Sequence, residues 1–188
     1  MDVLIEALKL REIKMEKISE EMQCLVFSIV AFLLPFSIGH PQVVVGVVVN
    51  MLLFMTAFNL KGYKTLPIIL LPSIAVLSRG LIFGQFTYFL IYTIPFIWIG
   101  NLLLVFAFKY MHFKQNWNKY FSLLTSIAIK FTVLYLPTVM LIKSNVLPDI
   151  FATSMGVLQI YTAIVGCALA LILQKMIKSK KYEKRHYN

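Results

Sequence analysis

Two cationic side chains interrupt apolar stretches of the sequence and are the best candidates for chemistry. Lys130 lies about halfway along the apolar residues 120–142, where an unpaired charge costs about 2.5–3.5 kcal/mol on insertion scales. Arg79 directly follows a short apolar segment, and its guanidinium suits bidentate binding of a carboxylate or phosphate. If both cations line one cavity, the preferred ligand is anionic or rich in hydrogen-bond acceptors.

Each cation also has a purely structural interpretation. Lys130 alternatively extends towards the membrane surface, or stays a neutral amine bonded to backbone carbonyls. Arg79 alternatively anchors a helix end among lipid headgroups. The sequence leaves both alternatives open.

The rest of the residue inventory disfavours catalysis and metal binding. Residues 22–148 contain no aspartate or glutamate, which removes the usual ligands of sodium, proton and metal sites. Cys24 and Cys167 lie in apolar segments away from any metal-ligand pattern and are interpreted as packing residues. No hydrolase, metalloprotease or nucleotide-binding motif occurs. We therefore predict no enzyme activity, no cofactor and no metal.

Composition places these residues in a membrane protein. Of the 188 residues, 60% are hydrophobic and 14% charged, and the mean hydropathy is +0.81, which is too apolar for a soluble domain of this size. The net charge of +10 comes from short basic clusters between apolar runs. Such clusters favour the membrane surface, rather than nucleic acid, as their partner.

The pattern of apolar runs predicts an all-α, six-helix transmembrane bundle. A span needs about 20 residues, and six segments approach this length: residues 22–38, 43–60, 65–77, 86–110, 120–142 and 150–177. The third is short and contains Pro67 and Pro72, which predicts a proline-interrupted helix. Such a helix either marks a binding site or is a kinked packing helix.

The basic residues predict that both termini are cytoplasmic in a multi-pass cell-membrane protein. When loops are assigned alternately to two sides, one side carries only Arg79 and Lys143. The other carries fifteen basic residues: Lys9, Arg11, Lys14, Lys17, Lys61, Lys64, Lys109, Lys114, Lys119, Lys175, Lys178, Lys180, Lys181, Lys184 and Arg185. Positive charge is retained on the cytoplasmic side.

Three regions follow from this topology. Residues 1–21 form a cytoplasmic segment, either a short amphipathic helix or disordered, and residues 22–177 form the six-helix domain. Residues 178–188 form a basic cytoplasmic tail. Two strips of small residues, one in the first span and one in the last, predict close packing within the bundle or against another membrane subunit: Cys24, Ser28 and Ala31, and Ala163, Gly166, Cys167 and Ala170.

Amide and phenol side chains are expected beside the two cations. The topology places Gln42, Gln85, Tyr88 and Gln159 on the Arg79 side of the membrane, with Lys130 and Asn50 deeper. Amides, phenols and cations together suit a polar organic ligand, although Tyr88 also suits an interfacial or packing role. The predicted ligand-binding residues are Arg79, Lys130, Gln42, Gln85, Tyr88 and Gln159.

Two stretches accompany the six-helix topology with its irregular third helix: residues 71–84 (LPSIAVLSRGLIFG) and residues 92–101 (YTIPFIWIGN). In these features the chain resembles the S components, the substrate-binding membrane subunits of energy-coupling-factor transporters. This resemblance implies capture of a vitamin or other micronutrient from the external side. It also implies docking of the first helices onto a coupling membrane subunit driven by two ATPases. At the family's alanine-x-x-x-alanine strip, this chain has Cys24 and Ser28.

Other functions remain open on the residues alone. An accessory subunit of a larger membrane complex would need only the small-residue strips and no ligand. A stand-alone transporter or channel is weakened by the missing acids and the absence of an internal repeat. A lipid-modifying enzyme usually requires clustered acids and a metal.

Overall fold

The described part of the computed structural model comprises residues 2–11, 19–38, 41–79 and 84–186, and it contains helices and no strand. The α-helices are Asp2–Leu8 (α1), Glu20–Ser37 (α2), Gln42–Asn59 (α3), Leu66–Arg79 (α4), Leu90–Lys109 (α5), Lys119–Lys143 (α6), Ile150–Met155 (α7) and Val157–His186 (α8). The all-helical prediction is therefore confirmed for the described residues. The last helix continues beyond the predicted boundary at residue 177.

Five helical stretches among the described residues are long and apolar enough to cross a membrane, as expected of a membrane protein, but the predicted count of six is not confirmed. They are Glu20–Ser37, Gln42–Asn59, Phe86–Lys114, Lys119–Lys143 and Ile150–Ile177. Their outward faces carry exposed large apolar side chains, such as Leu25, Ile29 and Leu33 on α2. These faces suit contact with lipid chains, which do not penalise exposed apolar surface.

The third predicted segment differs from its expected form. It is a continuous 14-residue helix, α4, preceded by a 3-10 turn, Gly62–Thr65. Pro67 lies in the first helical turn, where a missing backbone donor is tolerated. Pro72 lies inside the helix without ending it, so an interruption by proline is not confirmed.

Helix α4 packs along α2 and extends between its two ends. Near the start of α2, Cys24 Sγ donates to the Lys64 carbonyl at 3.3 Å. At its other end, Arg79 donates to the carbonyls of Phe36 and Ser37. We call this end of the bundle the Arg79 end and the opposite one, where α5 finishes, the Lys109 end.

Small residues bring α3 and α8 together in parallel at the centre of the bundle. A Cβ atom at Gly166 would lie 2.7 Å from the Val47 carbonyl oxygen and 2.8 Å from the Met51 nitrogen. Ala163, Cys167 and Ala170 are buried along the same strip. The small-residue strip of the last span is therefore used within the chain, where it allows close backbone approach.

At the Lys109 end, one buried lysine connects three segments. Lys109 is fully buried, and its Nζ donates to the carbonyls of Leu8 at 3.1 Å, Leu10 at 2.8 Å and Leu60 at 2.5 Å. Leu8 is the last residue of α1, Leu10 lies two residues beyond it, and Leu60 is the C-cap of α3. A cation suits such helix C-terminal carbonyls because they carry partial negative charge. Lys109 thereby fixes α1 against the bundle.

Candidate functional site

A cavity of about 100 Å³ lies between α3, α4, α5, α6 and the α7–α8 pair. This volume accommodates several waters or a small organic molecule. Its polar lining consists of Gln42, Asn50, Ser73, Asn101, Lys130, Ser154, Gln159 and Thr162. The remaining walls are mainly aliphatic, so the cavity combines a few polar groups with an apolar body, as small-molecule sites do.

Helix α3 supplies one continuous face of the cavity. Gln42, Val45, Gly46, Val49 and Asn50 all line it, and their i, i+3, i+4, i+7, i+8 spacing puts them on one side of a helix. A Cβ at Gly46 would lie 2.9 Å from the Thr162 side chain on α8. The missing side chain therefore allows Thr162 to reach α3.

Lys130 is buried at the inner part of this cavity and is held by a defined polar group. It is 4% exposed, and its Nζ donates to Asn50 Oδ1 at 2.7 Å. Asn50 Nδ2 in turn donates to the Gly46 carbonyl at 2.9 Å and to Thr162 Oγ1 at 3.2 Å. A Cβ at Gly100 would lie 3.5 Å from Lys130 Cγ, an ordinary van der Waals distance, so α5 lies directly beside the lysine side chain. Lys130 does not extend to the bundle surface.

One side chain that can carry a charge lines the described part of the cavity. Lys130 is the one charged side chain among the described lining residues, and no aspartate or glutamate joins it there. Helices α3 and α8 both begin beside the cavity, at Gln42 and Val157. Helix N-termini carry partial positive charge. The site therefore favours an anion or an acceptor-rich group.

Two further polar residues come from α4 and α5. Ser73 Oγ accepts from Trp98 Nε1 at 2.7 Å and donates to the Leu70 carbonyl at 2.9 Å, so its bonding capacity is largely used. Asn101 Nδ2 donates to the Ile69 carbonyl at 3.3 Å, but its buried Oδ1 has no hydrogen-bond partner among the described residues. A buried acceptor without a partner is uncommon, and Asn59 carries another among the described residues, away from the cavity.

The predicted binding residues separate into two groups. Gln42, Lys130 and Gln159 line the cavity. Arg79 does not: it is exposed at the end of α4, and its guanidinium bonds to α2 carbonyls and lies 5.8 Å from the centre of the Phe36 ring. Arg79 therefore joins the end of α4 to the end of α2. Tyr88 is 78% exposed and is not part of the lining, and the Gln85 side chain lies outside the described residues.

Sequence reasoning did not select Asn101, Ser73, Ser154 or Thr162 as binding residues. Asn101 had a usable signal, because a Gly-Asn pair in the middle of a long apolar helix combines close approach with an unmatched polar group. The three hydroxyl residues had none, since serine and threonine bond to their own helix in many transmembrane segments. Thr162 does so here, donating to the Leu158 carbonyl at 2.8 Å.

The described lining of the cavity offers three kinds of hydrogen-bonding group, namely the Lys130 amine, side-chain amides and hydroxyls. Comparison of the chain with protein-family models, curated proteins and solved structures finds no match.

Proposed function

We propose that the chain is the substrate-binding membrane subunit of an ATP-driven micronutrient uptake transporter, similar to the S components of energy-coupling-factor transporters. It captures a small polar or anionic ligand from the external side. The observation that carries this proposal is the cavity with buried Lys130 and no acidic partner. The chain itself hydrolyses no nucleotide.

The sign of the ligand follows from the energetics of Lys130. A charge in the middle of a membrane protein is unfavourable unless it is paired or hydrogen-bonded. Asn50 supplies one neutral acceptor at 2.7 Å, which only partly replaces hydration. An anionic ligand in the cavity offsets the remaining desolvation and is held by a charge-assisted hydrogen bond.

A six-span topology in the cell membrane, with both termini cytoplasmic, completes the proposal. Together, α4 and its preceding 3-10 turn extend about 29 Å, close to the hydrocarbon thickness of about 30 Å. They run from the contact between Cys24 and Lys64 to the contact between Arg79 and Ser37, at the two ends of α2. On this topology the Arg79 end is external, and Gln42 and Gln159 lie in the outer half of the bundle.

Uptake also requires a coupling membrane subunit and its ATPases. Helix α2 is the least buried of the five long apolar helices, with 17% of its residues buried. Its Cys24, Ser28 and Ala31 strip is not free for docking, because Cys24 contacts Lys64 and Ala31 is fully buried. A coupling subunit would therefore dock on the opposite face of α2, which exposes Leu25, Ile29 and Leu33.

Native mass spectrometry of the purified protein tests the proposal. We expect a retained small molecule on the wild-type chain and its loss from Lys130→Met. Arg79→Gln is the matched control, since it also removes a cation but lies outside the cavity, and it should retain the molecule. Retention in Lys130→Met would contradict this site. A ligand-free chain that copurifies with other membrane proteins, but with no ATPase, would instead favour an accessory subunit.

A further inference from the structure

We infer that the ligand of this cavity has two polar ends: an anionic group that binds at Lys130, and an uncharged hydrogen-bonding group, such as a carboxamide, that binds between Gln42 and Gln159. An apolar segment joins the two ends. This inference rests on the proposed function, since it defines the ligand of the same cavity.

The inner end of the cavity offers donors to an anion. An ammonium carries three N–H donors, and one of them goes from Lys130 Nζ to Asn50 Oδ1 at 2.7 Å. No other hydrogen bond joins Lys130 to the described residues. Because Lys130 lines the cavity, its remaining donors are available to a negatively charged acceptor.

The other end of the cavity, towards the Arg79 end of the bundle, carries two side-chain amides that are little used within the chain. Gln42 and Gln159 both line the cavity, and both are half-buried, so a ligand can reach them. Gln159 Nε2 contacts Met155 Sδ at 4.0 Å, which is a weak acceptor. No described residue hydrogen-bonds to the Gln42 amide. This end therefore offers donors and acceptors together.

The parallel packing of α3 and α8 places the two glutamines at one level. A Cβ atom at Gly46 would lie 2.9 Å from the Thr162 side chain, so these two residues mark where the helices meet. Gln42 lies four residues before Gly46, and Gln159 lies three residues before Thr162. These spacings keep each glutamine on the contact face of its helix, one turn earlier. A single ligand group between them can therefore bond to both.

Between its two ends the cavity has apolar walls. The side chains there are Val45, Val49, Val76, Ile97, Leu134 and Leu158. The hydroxyls of Ser73 and Thr162 also line the cavity, but they already bond within the chain. Gln42 and Asn50 lie two turns apart on α3, about 12 Å along the helix axis. A ligand that reaches both ends is therefore elongated, with an apolar middle.

The glutamine end favours an uncharged group over a second anion. Lys130 is the one residue of the described lining that can carry a charge. A second carboxylate would exchange its hydration for neutral amides, which compensate the loss only partly. A carboxamide can both donate to and accept from the two glutamines.

Four probes separate these features. Suberamate carries a carboxylate and a carboxamide joined by six methylene groups. Suberate has nearly the same shape with a second carboxylate, suberamide has an amide at both ends, and succinamate keeps both end groups on only two methylene groups. Binding is measured by calorimetry on the detergent-purified full chain. We expect suberamate to bind about fivefold or more tightly than each other probe, because each leaves one end of the cavity unmatched.

Three variants assign the two ends to their residues. Lys130→Met should abolish the preference for suberamate over suberamide. Gln42→Met and Gln159→Met, which keep the length of the side chain, should each weaken suberamate binding about fivefold. Gln115→Met is the matched control, since the same replacement lies at an exposed position outside the cavity, and it should leave the affinity unchanged. Thermal unfolding of each variant verifies folding.

The wild-type probe series decides the inference even where a variant does not fold. Equal affinity for suberamate and succinamate, equal affinity for suberamate and suberate, or no binding of suberamate to the folded chain would overturn it. A retained ligand with a single polar end in the mass spectrum would also overturn it, while leaving the binding-subunit proposal intact. A chain that shows these preferences but never copurifies with an ATPase would support the inference and contradict the transporter role.

Discussion

The Nζ atom of Lys130 lies 2.7 Å from the Oδ1 atom of Asn50, which is 80 residues away along the chain. The contact joins α6 to α3 inside the bundle, and Asn50 passes the connection on to Thr162 on α8 at 3.2 Å. Three helices are thus linked by one buried polar chain. Such a chain is favourable only while each member keeps its partner.

Removing the Asn50 side chain alone should therefore destabilise the bundle more than removing the polar groups of Asn50 and Lys130 together. Asn50→Leu leaves Lys130 buried without its acceptor, and we expect the free energy of unfolding to fall by about 2 kcal/mol. The double variant Asn50→Leu, Lys130→Met should recover a large part of this loss. Unfolding of each variant by sodium dodecyl sulfate in mixed detergent micelles measures the two free energies. Thr132→Val, on the exposed face of the same α6 helix, is the control and should change stability little. Additive effects of the two substitutions would contradict the coupling.

Gly166→Ala should also destabilise the chain, through the α3–α8 contact. The new methyl group would lie 2.7 Å from the Val47 carbonyl and 2.8 Å from the Met51 nitrogen, and backbone atoms cannot move aside without separating the helices. We expect a loss of about 1–3 kcal/mol. Gly100→Ala is the matched control, because its nearest neighbour is the Leu134 side chain at 3.3 Å, which can adjust. An equal loss in both variants would mean that helix approach is not the cause.

The sequence predicted the inner part of the site better than its rim. A charged residue inside an apolar segment, such as Lys130, is a candidate site residue whichever face of the helix carries it. By contrast, Arg79 and Tyr88 lie near the ends of apolar segments, and the predicted side of the membrane does not determine the face of the helix on which such a side chain lies. Asn50 is paired because Gly46 and Gly166 let α8 approach α3. That pairing depends on interhelical distance, which periodicity alone does not provide.

Lys109 illustrates a role that no sequence pattern would have revealed. Its position among basic residues at a span end predicted only a topological charge. Its partners are backbone carbonyls of Leu8, Leu10 and Leu60, and backbone acceptors leave no trace in residue type. Only the folded geometry brings α1 and the end of α3 to the same ammonium.

Lys109→Met should release α1 from the bundle. The substitution removes three hydrogen bonds and leaves buried carbonyls without a donor, so we expect trypsin cleavage after Lys9 and Arg11 to accelerate about tenfold or more. Mass spectrometry of the fragments assigns the cleavage sites. Lys114→Gln is the control: it breaks the exposed contact between Lys114, which follows α5, and Glu6 of α1, and it should have a much smaller effect. Similar rates for both variants would show that Lys109 does not hold α1.

The Glu6–Lys114 pair should make α1 sensitive to acid. The hydrogen bond from Lys114, followed by its charge, holds the pKa of Glu6 below its usual value of 4.5. A carboxyl with a lowered pKa contributes stability that is present above pH 4.5 and is lost as the pH falls through the folded-state value. The rate of amide hydrogen exchange in α1, corrected for the intrinsic pH dependence of exchange, should therefore rise only below pH 4.5. In Lys114→Gln this rise should be reduced. An unchanged pH profile would exclude the pair as its cause.

Helix α4 should expose its two ends to opposite sides of the membrane. In a chain with Cys24→Ser and Cys167→Ala, we expect Ser78→Cys to react with an impermeant maleimide in intact cells. Tyr63→Cys, at a position 78% exposed in the 3-10 turn before α4, should react only after the cells are permeabilised. Tyr88→Cys, at an equally exposed position near the Arg79 end, should react like Ser78→Cys. Labelling of positions 63 and 78 from one side would mean that α4 does not cross, and that the two termini lie on opposite sides of the membrane.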